Sequence, residues 1–267
     1  LSFFVSDPKL RHIHKASVRD RIVHQALYRV LYPLYDRSFI FDSYSCRLRK
    51  GTHKAIIRLN DFCRCASQNY TRNIYGLKCD ILLIRRNIAD GEALWLIEKI
   101  IDSFATKSSK GLPLGNITSQ LFANIYLNEF DQFIKHRLKI KYYLRYTDDF
   151  IIISHDRKYL FNLVSLFSNF LNNQLMLQLH PQKTIINKLS QGLDWLGYVV
   201  LPHYRVLRTK TKHHMLKKIK QKRLLFDCGV INLESFYQTL QSYFGVLSHC
   251  HGQKIRQDIE KNIISVP

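Results

Sequence analysis

Two spacings of apolar residues alternate along this chain, and the switches between them mark its elements. Ser17 to Asp20 predicts an N-cap followed by an acidic residue at the third helical position. Ile22, Val23, Ala26, Leu27, Val30, Leu31 and Leu34 then recur at helical spacing, with Pro33 near the end. After a basic stretch from Arg47 to His53, the period shortens to two: Leu77, Cys79 and Ile81 share one face of a strand, Lys78 and Asp80 the other. A helix is expected around Glu92 to Phe104. The stretch Lys110 to Asn116, with two glycines and a proline, predicts a loop. Thr118 or Ser119 can cap a helix carrying Phe122, Ile125, Tyr126, Phe130, Phe133 and Ile134.

Tyr142 to Ser154 reads as a hairpin, aromatic on one arm and aliphatic on the other, meeting at a polar turn. A helix from about Lys158 to Asn172 follows, then a short hairpin over Gly192 to Val200. Arg205 to Arg223 is densely cationic, and the tail from Leu233 is helical. This order predicts an α+β fold, an antiparallel sheet backed by helices. It also lets the strand of Asp80 lie beside the hairpin of Asp148 and Asp149, so that three carboxylates converge at one sheet edge. Adjacent ionised aspartates repel unless a cation neutralises them, which points to a divalent metal and phosphate chemistry. An ordinary acidic turn is the plainer alternative.

Charge sharpens that picture. Lys and Arg number 41 against 20 Asp and Glu, a formal net charge of +21. Self-repulsion of that size suits a polyanionic partner, nucleic acid before a membrane surface. Candidate phosphate contacts are Arg47, Arg49 and Lys50, with Gly51 turning the chain to present them, and a later cluster including Lys217 and Lys218. No apolar run approaches the length of a membrane-spanning helix. None of the six cysteines forms a Cys-x-x-Cys pair, so free thiols in a reducing compartment are expected rather than a zinc ribbon. No basic-then-apolar leader follows Leu1, and no secretory signal is expected.

At this point the chain resembles the bacterial reverse transcriptases of the group II intron and diversity-generating retroelement type. Asp7 to Arg11 and Val18 to Leu27 look like fingers motifs, and Leu77 to Ile81 looks like the first palm motif. Gly111 to Gln120 resembles the nucleotide-pocket motif, and Tyr146 to Asp149 the polymerase hairpin. His180 to Thr184 is similar to the next palm motif, and Leu193 to Tyr198 to the primer grip. With the two fingers stretches taken together, six motifs stand in family order.

The resemblance implies a right-hand polymerase: fingers over residues 1–74 lacking a front part, palm over 75–200, and a shortened thumb over 201–267. It implies RNA-directed DNA synthesis on a template RNA and a primer or cDNA strand, from deoxynucleoside triphosphates. Asp80, Asp148 and Asp149, with the backbone of Ile81, would hold two Mg²⁺ ions about 3.5–4 Å apart, with Mn²⁺ a substitute. Lys9 and Arg11 would contact the triphosphate. Leu114, Gly115, Gln120 and Tyr146 would line the nucleotide pocket. Lys183 would protonate pyrophosphate or stand as a solvated lysine. Trp195, Gly197 and Tyr198 would contact the primer, with a core role the alternative for both aromatics. The compartment implied is a bacterial or phage-infected cytoplasm.

Leu114 and the Ser-Gln ending at Gln120 resemble the diversity-generating group, whose enzymes err often at template adenines. An acidic accessory protein would suit the positive charge. A general group II intron-like, free-standing or defence-associated reverse transcriptase is the alternative within the family, with no maturase domain expected. Leu82 to Arg86 replace the aromatic stretch that usually comes after the first palm motif, which makes a catalytically silent nucleic-acid-binding relative the rival from another class.

Overall fold

The computed structural model describes residues 2–6, 10–14, 17–82 and 117–261. Two compact units emerge: Leu1–Ala55 with Gly76–Ile186, and Ile56–Tyr75 with Asn187–Pro267. The expected helix around Glu92 and the loop from Lys110 lie outside the described residues.

The first unit begins with an antiparallel hairpin of β1 (Ser2–Ser6) and β2 (Leu10–His14). Helix α1 spans Val18–Asp36. It opens with the expected capping box: the Ser17 hydroxyl accepts from the Asp20 amide at 3.2 Å, and the Asp20 carboxylate accepts from the Ser17 amide at 3.1 Å. Its aliphatic stripe is not its buried face, however. Ile22, Val30 and Leu34 are about two-thirds exposed, whereas His24 and Tyr32 are buried. Tyr28 stacks on Tyr32 one turn away with ring centroids 5.0 Å apart. Tyr28, Leu31, Tyr32 and Tyr35 pack with Phe39, Leu121 and Ile125. Aromatic rings bury more area per residue than aliphatic side chains and decide which face turns inward.

Helix α2 spans Thr52–Ala66 and passes into the second unit at Ile56; strand β3 spans Tyr75–Leu82. Helix α3, Ile117–Gln132, starts before the expected caps. Thr118 therefore sits inside it, buried, with its hydroxyl 2.9 Å from His24 Nδ1. Phe133–Arg137 continue as a π-turn. Strands β4 (Tyr143–Tyr146) and β5 (Asp149–Ser154) form the predicted hairpin, with Tyr146 opposite Asp149. Helix α4, Arg157–Leu175, is capped by Asp156 and buries Leu160, Leu163, Phe167, Leu171 and Leu175. Short β6 (Gln178–Leu179) and β7 (Ile185–Lys188) complete a sheet of order β4-β5-β3-β6, with β7 also pairing with β3. Phe130, Phe150 and Phe167 meet edge to face at 5.3 to 5.7 Å between the sheet and its helices.

In the second unit, β8 (Leu193–Trp195), β9 (Tyr198–Val200) and β10 (Arg205–Leu207) form an antiparallel sheet. The β8–β9 turn, Leu196-Gly197, has positive φ at both residues, 48° and 87°, the geometry of a tight primed hairpin for which glycine is suited. Three helices follow: α5 (Thr209–Asp227), α6 (Leu233–Leu247) and α7 (Gln253–Ile259). Met215, Ile219, Phe236, Leu240 and Leu247 are buried. The mixed α and β architecture with antiparallel strands is the one that the apolar pattern predicted.

Candidate active site

The site is built around the turn between β4 and β5. The apolar arms of that hairpin, Phe150 to Ile153 all buried, anchor it in the sheet and leave its polar residues at the rim. Because β5 neighbours β3, Asp80 comes beside Asp148 and Asp149. The Ile81 amide donates to the Asp148 carbonyl at 2.9 Å and ties the turn to the strand. Opposite, the His180 amide donates to the Asp80 carbonyl at 2.8 Å. His180 also caps the 3₁₀ turn Pro181–Lys183, with Pro181 presetting its first position. That turn aims Lys183 at Asp80, and its ammonium lies 2.5 Å from Asp80 Oδ2.

The carboxylates interact. Burial pushes Asp149 up to about 6, and the Asp148 and Asp80 charges push the same way against Lys78 and Lys183. Lys183 is raised, first by its hydrogen bond to Asp80 and then by the neighbouring aspartate charges. Hard oxygen donors whose repulsion shows in Asp149 suit a divalent cation of the magnesium kind. Among the described residues no three His, Cys, Asp or Glu side chains are gathered as a group that could hold a metal ion, and at Asp80 the positive charge is that of Lys183.

Of the other predicted residues, Tyr146 is half-buried and its hydroxyl accepts from Thr52 at 3.1 Å. Gln120 is exposed on the first turn of α3. Arg11 lies on β2 opposite Val5; its side chain, Lys9, Leu114 and Gly115 lie outside what is described. Arg49 is exposed, but Arg47 is not presented to solvent. Its guanidinium turns inward to Asp36 at 2.7 Å and to the carbonyls of Ile40 and Ser43. Lys50 donates to the Phe41 carbonyl at 2.7 Å and lies over the Phe41 ring. Lys217 is exposed and Lys218 half-buried on α5. Trp195 is fully buried and Tyr198 nearly so, with the Tyr198 hydroxyl donating to the Val246 carbonyl at 3.2 Å. For these two aromatics the core alternative holds: hairpin alternation turns both rings inward and leaves Gly197 at the turn.

Sequence reasoning assigned no role to the polar cluster behind the hairpin. Arg145 is fully buried and paired in bidentate fashion with fully buried Asp131. The Tyr143 hydroxyl donates to the same carboxylate at 2.6 Å, and burial lifts Tyr143 well above the usual phenol range. A signal existed: Asn124 and Asp131, seven residues apart, are polar positions among buried Leu121, Leu127 and Phe130.

The site is thus an acidic turn on an antiparallel sheet, in a strongly basic chain. Residues 6–200 match the family model described as reverse transcriptase (RNA-dependent DNA polymerase), and the chain belongs to that family. It is 26% identical over 269 residues to Protein YkfC of Escherichia coli (strain K12), covering 80% of this chain and 68% of that protein. It is 25% identical over 280 residues to the group II intron-encoded protein LtrA of Lactococcus lactis subsp. cremoris, covering 76% of this chain and 46% of that one. The chain thus spans about half of LtrA. A structure of telomerase from Candida tropicalis, in complex with a TWJ fragment of telomeric RNA, aligns over 97% of this chain and 54% of its own. Its TM-score is 0.50 at 13% identity. This likeness concerns the fold and bears out the right-hand polymerase class. No described helix is long and apolar enough to cross a membrane.

Proposed function

We propose that this protein extends a primer on an RNA template, adding deoxynucleotides by nucleotidyl transfer at the β4–β5 turn. One observation carries the reading: Asp80 on β3 is brought beside Asp148 and Asp149 by the strand order of an antiparallel sheet. Asp80, Asp148 and Asp149 would hold the divalent ions, with the Ile81 backbone beside them. Bound Mg²⁺ ions supply activation of the 3′-hydroxyl and neutralisation of pyrophosphate charge. Tyr146, fixed through Thr52, orients the nucleotide. Lys183, whose ammonium sits against Asp80, would protonate the leaving pyrophosphate. Lys217 and Lys218 on α5, with Arg49, bind phosphates. With roughly 6–10 such contacts, affinity falls by about 10³–10⁵ between 50 and 200 mM salt.

Within the family the reading extends to error-prone copying of the diversity-generating kind. It rests on Leu114 and Gln120, where an aliphatic side chain replaces an amide that could hydrogen-bond near the incoming nucleotide. Such a bond is worth about 0.5–1.5 kcal/mol net, roughly three- to tenfold in selectivity. Leu114→Gln should lower misincorporation, most of all opposite template adenine. Equal, low error rates opposite all four bases in the parent would leave a general bacterial reverse transcriptase. Primer extension on an RNA template with Mg²⁺ or Mn²⁺ tests the main proposal. Binding of template and primer without extension under either metal would establish the silent-relative alternative.

A further inference from the structure

The turn that carries the aspartates is strained, and the strain has an identifiable holder. Thr147, the first of the two turn residues, has φ +56°. That is the left-handed region, which a β-branched side chain seldom enters and which costs about 1–3 kcal/mol unless surroundings over-determine it. Two interactions do so. The Thr147 carbonyl accepts from Arg145 Nη1 at 2.9 Å, and the Thr147 hydroxyl donates to Ser45 Oγ at 2.7 Å.

Arg145 is itself immobilised. Nε and Nη2 grip the two Asp131 oxygens at 2.8 and 2.7 Å, Nη1 also donates to Asn124 Oδ1 at 3.1 Å, and Nη2 donates to Ser43 Oγ at 3.3 Å. All five guanidinium protons are thereby used. Asn124 closes the ring by donating from Nδ2 to the Ser45 carbonyl at 2.9 Å. The charge is balanced inside the protein, so the device does not depend on solvent or salt.

We infer that Arg145, clamped by Asp131 and seconded by Ser45, is a positioning residue that locks Thr147 in its strained conformation and so fixes Asp148 and Asp149 against Asp80. The inference rests on the active-site reading proposed above. A bidentate fork is needed for this task. Lysine keeps the charge but cannot reach Asp131, Asn124 and the Thr147 carbonyl together.

The test is a double-mutant cycle read two ways. Arg145→Lys should lower kcat by about 100-fold, the scale of a small misplacement of reacting groups, with KM for the nucleotide within about threefold. Hydrogen exchange of the 146–150 segment should accelerate about tenfold, with the rest of the first unit unchanged. In the Thr147→Gly background the same change should cost far less, because glycine adopts positive φ unaided. Ser45→Ala keeps the buried ion pair whole and should give the same signature at smaller amplitude, which preserves the test if the lysine variant does not fold. A purely structural role predicts rate loss that tracks thermal stability and is not relieved by Thr147→Gly; either result overturns the inference. So does unchanged exchange at 146–150 in both variants. Absence of extension by the parent would defeat the proposed function alone, since the exchange readout needs no activity.

Discussion

Two hairpins in this protein solve the same problem by opposite means. Both close with a two-residue turn, Leu196-Gly197 between β8 and β9 and Thr147-Asp148 between β4 and β5. The first has positive φ at both positions and places glycine at the second. A Cβ there would meet only the Thr211 hydroxyl at an ordinary 3.6 Å, so the glycine answers to backbone conformation and not to crowding. Its external ties are few: the Arg208 amide donates to the Gly197 carbonyl at 2.9 Å, and Arg208 bonds part-exposed Asp194. The β4–β5 turn has no glycine, puts a β-branched residue at positive φ, and draws support from a buried ion pair. A turn whose conformation suits its glycine can be written locally. A turn that must present two repelling carboxylates at a fixed place leans on the core behind it.

The comparison breaks first at the carboxylates. Asp80→Ala or Asp148→Ala should lower primer extension by at least about 10³-fold, several kcal/mol of lost charge stabilisation, with template binding retained or slightly tighter. Parental rates in Asp80→Ala would show that the acidic rim is not the reaction centre. The next largest effect concerns stability. Asp131→Ala leaves Arg145 buried and unpaired and should cost about 3–5 kcal/mol in urea unfolding. Asp194→Ala breaks a part-exposed pair and should cost at most about 1 kcal/mol. Similar costs for the two would erase the contrast between a core-supported and a self-sufficient turn.

Gly197→Ala should destabilise by about 1 kcal/mol or somewhat more, because alanine is strained at φ 87°. Thr147→Gly should not show a loss of that size, and denaturation of the two variants side by side sharpens the comparison. The smallest effect belongs to His24, buried against Thr118. Burial lowers its affinity for a proton, with Asp20 pulling weakly the other way. Its folded value lies below the unfolded one of about 6.5, so the stability it contributes is complete above that pH and is lost as pH falls through the folded value. Melts at pH 7.5 and 5.5 should differ by a component of under about 1 kcal/mol that His24→Gln removes.

The acidic rim was legible beforehand. Alternation of Leu77, Cys79 and Ile81 against Asp80, and the apolar arms flanking Asp148, needed only period-two pattern and the rule that neighbouring elements pack together. The Ser17 cap was legible for the same reason, since its partner sits three residues away. The buried side of α1 was not, because aliphatic spacing favoured Ile22 and Val30 while stacked tyrosines took the interface. Nor was the inward turn of Arg47, whose partner Asp36 lies 11 residues back. Arg145 looked like one more cation in a basic chain. Its partners stand 14, 21 and 102 positions away in the sequence.

The sequence by itself determined helices α1 and α4, the strand of Asp80, the two later hairpins and the Ser17 cap, the family through its ordered motifs, and the identity of the acidic residues; helix α2 and the β1–β2 hairpin it did not. Only the tertiary structure decided which charges are buried, which aromatics are core, and which side chains bond the β4–β5 turn. The physical reason is range. Periodicity and capping are set by interactions across a few residues, whereas a buried charge is stable only among partners that folding gathers from distant segments.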